Sequence, residues 1–160
     1  MRRKDREVTE IDKILAIIDR CKVCRLGLCD NGRAYVIPLN FGYTFIEENL
    51  TLYFHSAPEG KKIDLIRKNN SACFELDCDH KLLEGDKAGS YSYAYSSVIG
   101  FGCIEFIENN TDKIFALNAL MKHQTGNDKQ HNFNDNDLDS VAVYKLTVDE
   151  FTGKQNYGHN

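Results

Sequence analysis

The run Tyr53-Phe54-His55-Ser56-Ala57-Pro58-Glu59-Gly60-Lys61-Lys62 concentrates more chemistry than any other stretch of the chain. An apolar segment ends in a histidine and a hydroxyl, and a glycine with two lysines then opens a helical pattern. A helix start offers unpartnered backbone N–H groups and the positive end of the peptide dipoles, so an anion such as a phosphate can bind there. Ser56 would add a hydroxyl donor, and Lys61 and Lys62 would add point charges. The segment lacks the glycine pattern of a P-loop, so an ordinary strand-to-helix connection with two solvated lysines stands as the alternative. His55 could donate or accept a proton near neutral pH, ligate a metal, or lie against a planar ring. A hydrogen-bonded structural histidine is the plainer alternative.

A second group is Cys21, Cys24, Cys73, Cys78 and His80. Thiolates two residues apart, with a Cys and a His elsewhere, could close a tetrahedral zinc site. The spacing between Cys73 and Cys78 is wide for a ligand pair, and Cys73 sits in a strand-like run where cysteine serves as a small apolar residue. No metal ligands are therefore assigned, and a zinc site on Cys21, Cys24, Cys78 and His80 is kept only as a rival. A Cys-x-x-Cys redox pair is equally weak, because these thiols do not lie within a strand–helix–strand unit. The strand aromatics Tyr35, Phe41, Tyr43, Phe45, Tyr53, Phe54, Tyr91, Tyr93, Tyr95 and Phe101 could stack on a planar ligand or fill a core or interface.

The elements that must position these groups are mostly strands. Ile11, Ile14, Leu15 and Ile18 recur at helical spacing, with Thr9 as the expected cap. Residues 23–29 alternate, and Asp30-Asn31-Gly32-Arg33 then predicts a tight hairpin to a second strand over 34–43. Pro38 within that strand implies an edge or a bulge, since proline cannot donate to a ladder. Further strands are expected at 50–56, 71–77, 90–107 and 140–151, the third of these bent at Gly100 and Gly102. A short helix follows Gly60, and a longer one runs from Asn110 to about His123, capped by Asn110 or Thr111, with Ile114, Phe115, Leu117, Leu120 and Met121 inward. Residues 78–90 and 124–139 are expected to be loops. Six strands, a hairpin and two or three helices predict a mainly β fold, a small antiparallel β-barrel with α additions, as one domain over 1–160.

Composition narrows the function classes. The chain has 160 residues, 42% apolar and 28% charged, with a net charge of −4. That balance argues against disorder and predicts no nucleic-acid partner, since phosphates would be repelled. No apolar run approaches the ~20 residues needed to span a bilayer, so no membrane helix is expected. The basic start, residues 1–8 with Arg2, Arg3, Lys4 and Arg6, reads as a solvated tail. It leads into TEID rather than an apolar segment, so no signal peptide is expected. The six cysteines are then expected to be reduced thiols and the protein cytoplasmic.

The segments MRRKDREVT, CKVCRLGL, VIPLNFGY, LYFHSAPEGKKIDLI, CFELDCDH, SYSYAYSSVIGFGCIEFIE and EFTGK, in this order across nearly the whole chain, resemble the FMN-binding split-barrel family that includes pyridoxamine 5′-phosphate oxidase. They resemble most the Nim-type 5-nitroimidazole-resistance branch. The resemblance implies a homodimer of split barrels with FMN in clefts between subunits. It implies that Pro38, Leu39 and Asn40 lie along the flavin ring, and that His55, Ser56, Gly60, Lys61 and Lys62 line the cofactor, with Ser97 contributing from the long strand or from a second subunit. It also implies an FMN-dependent oxidoreductase acting on a small-molecule substrate, an electron-poor acceptor such as a 5-nitroimidazole, with His55 as the catalytic residue. The C-terminal substrate signature of true pyridoxamine 5′-phosphate oxidases is missing. The rivals are that oxidase activity, a non-catalytic flavin- or haem-binding protein of the same fold, and the zinc-stabilised interaction protein.

Overall fold

The computed structural model describes residues 3–158, so Arg2 of the basic cluster lies outside the described residues. In chain order the elements are β1 (Glu7–Val8), α1 (Ile11–Arg20), β2 (Val23–Asp30), β3 (Arg33–Asn40), β4 (Gly42–Ile46), β5 (Asn49–Ser56) and α2 (Lys61–Lys68). They continue as β6 (Ser71–Leu83), β7 (Ser92–Phe106), α3 (Asn110–Thr125), α4 (Asp135–Asp139) and β8 (Ala142–Asn156). All pairings are antiparallel, in the order β3-β2-β6-β7-β8-β5-β4, with β1 added on β8.

The β2–β3 hairpin forms because Asn31 and Gly32 both accept positive φ, 51° and 84°. Pro38 is on an edge strand, since β3 ends the sheet path and pairs only with β2 among the described residues. The curved sheet encloses a core of Leu26, Phe54, Phe74, Leu76, Tyr144 and Leu146, closed at one end by Ile14, Ile17 and Ile18 of α1. A second cluster lies outside it, where Leu117 of α3 and Leu138 of α4 cover Tyr53 and Val143.

Several expectations are corrected. Glu10, not Thr9, is the N-cap residue of α1, and no side chain caps it. The single strand expected over 34–43 is two strands, because the chain leaves β2 at Asn40 and joins β5 at Gly42. Gly42 is required there: a Cβ would stand 2.3 Å from the backbone nitrogen of Leu120, so α3 rests directly on the strand. Residues 78–83, expected as loop, continue β6 past a bulge between Cys78 and Lys81 that shifts the register. Asn109, one residue earlier than expected, caps α3, accepting from the Asp112 N–H at 2.8 Å. Phe115, expected inward, is 52% exposed. The 124–139 loop contains α4, started by a reciprocal Asn134–Asp137 cap. Among the described residues, eight strands and four α-helices replace the expected six and two or three. Glu7 and Val8, at the end of the basic segment, pair with Lys154 and Gly153 of β8.

Candidate functional site

The break between β3 and β4 makes the site. The β4–β5 ladder begins at Gly42↔Tyr53 and stops there. Continued by two residues, it would set Asn40 against His55; continued by three, Leu39 against Ser56. Instead β3 turns away to β2, pairing Asn40 with Val23, while the other edge of β5 pairs with β8, His55 with Val143. Among the described residues the second edge of Pro38–Asn40 and the β4-side edge of His55–Ser56 therefore have no strand partner, which leaves the sheet open between β3 and β5. Unpaired main-chain donors and acceptors at such an edge need partners from water or a ligand.

Strand alternation sorts the side chains at this opening. Pro38 and Asn40 are exposed on the outer face, whereas Leu39 packs against the inner core. His55 shares its face with Tyr53, on the outside. Ser56 shares the inner face with Phe54, and its hydroxyl donates to the Ala57 carbonyl at 3.0 Å. His55 is half-buried, and its Nδ1 is buried without a hydrogen-bond partner. Burial, then the nearby Lys62 charge, pushes the imidazole pKa below its ordinary value, so the ring is neutral at pH 7.

Beyond Ser56 the chain turns into α2 through Gly60, whose φ of 118° and ψ of 169° suit glycine and strain other residues. The Gly60 carbonyl accepts from Ile63 and Asp64, so the Lys61 and Lys62 amides have no acceptor within the helix. The two lysines then part company. Lys61 bonds Asp30 at 2.7 Å and lies 4.8 Å from the centre of the Tyr35 ring, tying α2 to the hairpin. Lys62 takes part in no ion pair among the described residues, and its charge acts on His55.

Ser97 is not at this opening in the same chain. It pairs with Lys154 on β8, eleven residues from the Val143 that pairs with His55, a path of roughly 36 Å at ~3.3 Å per residue. It does share the outer face of the sheet with Pro38 and Asn40. On that face Val36, Ile99 and Phe101 are 58%, 44% and 50% exposed.

One residue of the site escaped the sequence reading. Tyr144 is fully buried, beside Phe54 across the β5–β8 ladder, and its hydroxyl has no hydrogen-bond partner. Ser56 is a polar neighbour, and burial raises the phenol pKa. An unsatisfied buried hydroxyl costs about 1–3 kcal/mol. Tyr144 and His55 thus leave two orphaned polar atoms on successive rungs of the β5–β8 ladder, the hydroxyl on the inner face with Phe54 and the imidazole on the outer face with Tyr53.

A cavity of about 920 Å³ opens elsewhere, between Leu15, Tyr43, Phe45, Phe115 and His123, and does not include His55 or Lys62. The zinc rival finds no support in the geometry. Cys24 lies in the core, His80 pairs with Asp77 at 2.8 Å, and the described residues contain no group of three or more potential ligands placed for a metal.

The family described as pyridoxamine 5′-phosphate oxidase matches residues 10–155. A candidate 5-nitroimidazole antibiotic resistance protein of Bacteroides thetaiotaomicron superposes with a TM-score of 0.80 at 36% identity, over 93% of this chain and 86% of that one. The flavocytochrome Anf3 of Azotobacter vinelandii gives 0.79 at 19% identity, over 99% and 72%. An FAD- and haem-binding protein of Mycobacterium smegmatis gives 0.81 at 16% identity, over 96% and 74%. The last two likenesses show the split-barrel fold alone. No curated protein sequence matches significantly.

Proposed function

The chain belongs to the pyridoxamine 5′-phosphate oxidase family, and we propose that it is an FMN-dependent oxidoreductase whose cofactor lies in the opening between β3 and β5. The observation that carries this reading is the buried, partnerless Nδ1 of His55 at the end of β5, from which the chain runs through Ser56 and Gly60 into the open α2 start. A phosphate fits there. The Lys61 and Lys62 amides point from the helix start, the unpaired Lys62 ammonium adds charge, and Gly60 leaves room, since a Cβ would meet nothing within 4 Å. The unpaired edge of Pro38–Asn40 suits a planar ring that hydrogen-bonds main chain. Lys61 acts mainly by holding α2 on the hairpin.

A flavin bound there supplies two-electron transfer to a small electron-poor acceptor, such as a 5-nitroimidazole. His55 does the protein's share at the acceptor. Held neutral, its ring N–H donates a hydrogen bond to an acceptor oxygen, and its protonated fraction delivers a proton. The 36% identity to the resistance protein favours this acceptor class over a phosphorylated pyridoxamine.

The second subunit of a homodimer completes the site in this reading. The exposed Val36, Ile99 and Phe101 form an apolar band on the outer face that carries Pro38, Asn40 and Ser97. Covering it with a second copy removes that surface from water and brings a partner's Ser97 toward the opening. The test is anaerobic: protein loaded with FMN and pre-reduced is mixed with a 5-nitroimidazole, and reoxidation is followed by absorbance. His55→Ala should fold and, at FMN concentrations that fill its site, slow this step by about 10²–10⁴-fold, the usual worth of a positioned acid. An unchanged rate removes His55 from the chemistry.

A further inference from the structure

The cavity of about 920 Å³ beside α3 has neither His55 nor Lys62 in its lining. One close contact sets its shape. At Gly42 the backbone of α3 rests on β4, so close that a Cβ would stand 2.3 Å from the Leu120 nitrogen. From there, β4 to Ile46 and α3 back to Thr111 each run roughly 13 Å, at ~3.3 Å per strand residue and ~1.5 Å per helical residue. Ile46 and Thr111 both line the cavity, which opens between the two elements away from Gly42. No strand covers this side of β4 among the described residues, because β4 ends the sheet path and pairs with β5 alone.

The walls are aromatic. His123 is buried, donates from Nε2 to the Cys21 carbonyl at 2.8 Å, and meets the Tyr43 ring edge-on at 5.4 Å. Burial lowers its pKa, so the ring is a neutral surface at pH 7. Ile46 and Phe115, also in the lining, are 59% and 52% exposed. Large apolar side chains left exposed around a concavity mark a ligand site.

Charge selects the ligand. Two lysines, Lys22 and Lys122, line the cavity against one carboxylate, Asp19. Asp19 accepts from the Tyr43 hydroxyl at 2.7 Å, and Lys122 pairs with Asp128 at 2.5 Å. Lys22 takes part in no ion pair among the described residues; its ammonium donates to the His123 carbonyl at 2.5 Å. An ammonium has three N–H donors, so Lys22 keeps donors for a ligand.

We propose that this cavity binds a small aromatic monocarboxylate, with its rings among Phe45, Phe115 and His123 and its carboxylate on the Lys22 ammonium. The volume lies within the ~300–1,000 Å³ usual for small-molecule sites, which leaves room for a bicyclic acid. The site is separate from the opening between β3 and β5, and the proposal stands whether or not a flavin fills that opening.

The experiment titrates the purified full chain with anilinonaphthalene sulfonate, an aromatic anion that fluoresces in apolar sites, and then adds competitors. Naphthoate should displace the dye at about tenfold lower concentration than the neutral alcohol of the same ring system, as one charge-assisted hydrogen bond allows. Lys22→Ala should erase that preference in a protein that still melts cooperatively. Phe115→Ser should weaken dye binding, and Ala119→Phe, which fills the cavity from α3, should abolish it. FMN should leave the dye in place. A native chain that does not bind the dye overturns the proposal, as does dye binding unchanged in both Phe115→Ser and Ala119→Phe. Displacement by FMN, equal displacement by acid and alcohol, or a preference that persists in Lys22→Ala would overturn it equally.

Discussion

Replacing Gly60 by alanine separates the shape of the anion site from its charge. The new Cβ would meet nothing within 4 Å, so crowding contributes nothing and the entire penalty is conformational. A φ of 118° with ψ of 169° lies in a region that glycine alone adopts easily, and holding another residue there costs about 1–3 kcal/mol. If the backbone keeps its shape, that strain appears as a melting temperature roughly 2–12 °C lower, at ~2–4 °C per kcal/mol for a chain of this size. If the turn relaxes instead, the Lys61 and Lys62 amides swing away and FMN affinity falls while the melting temperature stays nearly unchanged. The control is Gly126→Ala, at the left-handed C-terminus of α3, where φ is 73° and a Cβ again meets nothing. It should cost about 1–2 kcal/mol and leave flavin binding alone. The assay pairs thermal unfolding of apoprotein with a fluorescence titration by FMN. A Gly60→Ala protein that matches wild type in both would falsify the placement of the anion site at the α2 start.

Further outcomes follow from the same geometry. Lys62→Ala should weaken FMN binding roughly ten- to a hundredfold, the worth of one charge-assisted hydrogen bond, and the loss should be smaller for riboflavin, which lacks the phosphate. Lys61→Ala should change FMN affinity little and stability by about 0–1 kcal/mol, since its ion pair with Asp30 is exposed; equal effects of the two lysines in the titration would contradict their separate roles. His55 and His123 both have pKa values lowered by burial, so the unfolded chain binds their protons first. Their contribution is complete above the unfolded value of about 6.5 and is lost as pH falls below it, so thermal stability should decline from there. A His55→Asn, His123→Asn protein should show a flatter melting profile between neutrality and mild acid; an unaltered slope would exclude these rings as its source. Asn109→Ala should cost about 1 kcal/mol through the lost α3 cap, read in denaturant unfolding, with no change in flavin affinity.

Local features of the fold were legible where one residue type settles the matter. Asn31-Gly32 announced the hairpin because both positions need positive φ, and Pro38 announced an edge because it lacks an N–H. What stayed hidden depends on contacts distant in sequence. The break at Phe41 follows from α3 lying against Gly42, and nothing within 34–43 reveals that neighbour. The bulge after Cys78 shifts the alternation by one residue, so the second half of β6 no longer reads as strand. Phe115 looked inward because it is apolar, yet α3 covers the sheet with Ala116, Leu117 and Leu120 instead.

The site divides the same way. His55, Ser56, Gly60 and Lys62 are close in sequence, and a strand ending before a glycine-led helix marks them out. Nothing in the sequence marks Tyr144, because its place beside Phe54 exists only once β5 pairs with β8. The separation of Lys61 from Lys62 needed the Asp30 side chain, which a turn brings back to α2. Ser97 stands far from His55 in one chain, which makes its part in the site depend on a second copy.

The absorption spectrum of the purified protein, taken before and after denaturation, tests the central claim most directly. Two flavin bands in the native protein, with FMN released on unfolding, are the predicted result. A Soret band would make His55 a candidate iron ligand in place of a flavin partner. A colourless protein that also refuses added FMN would contradict the flavin site between β3 and β5.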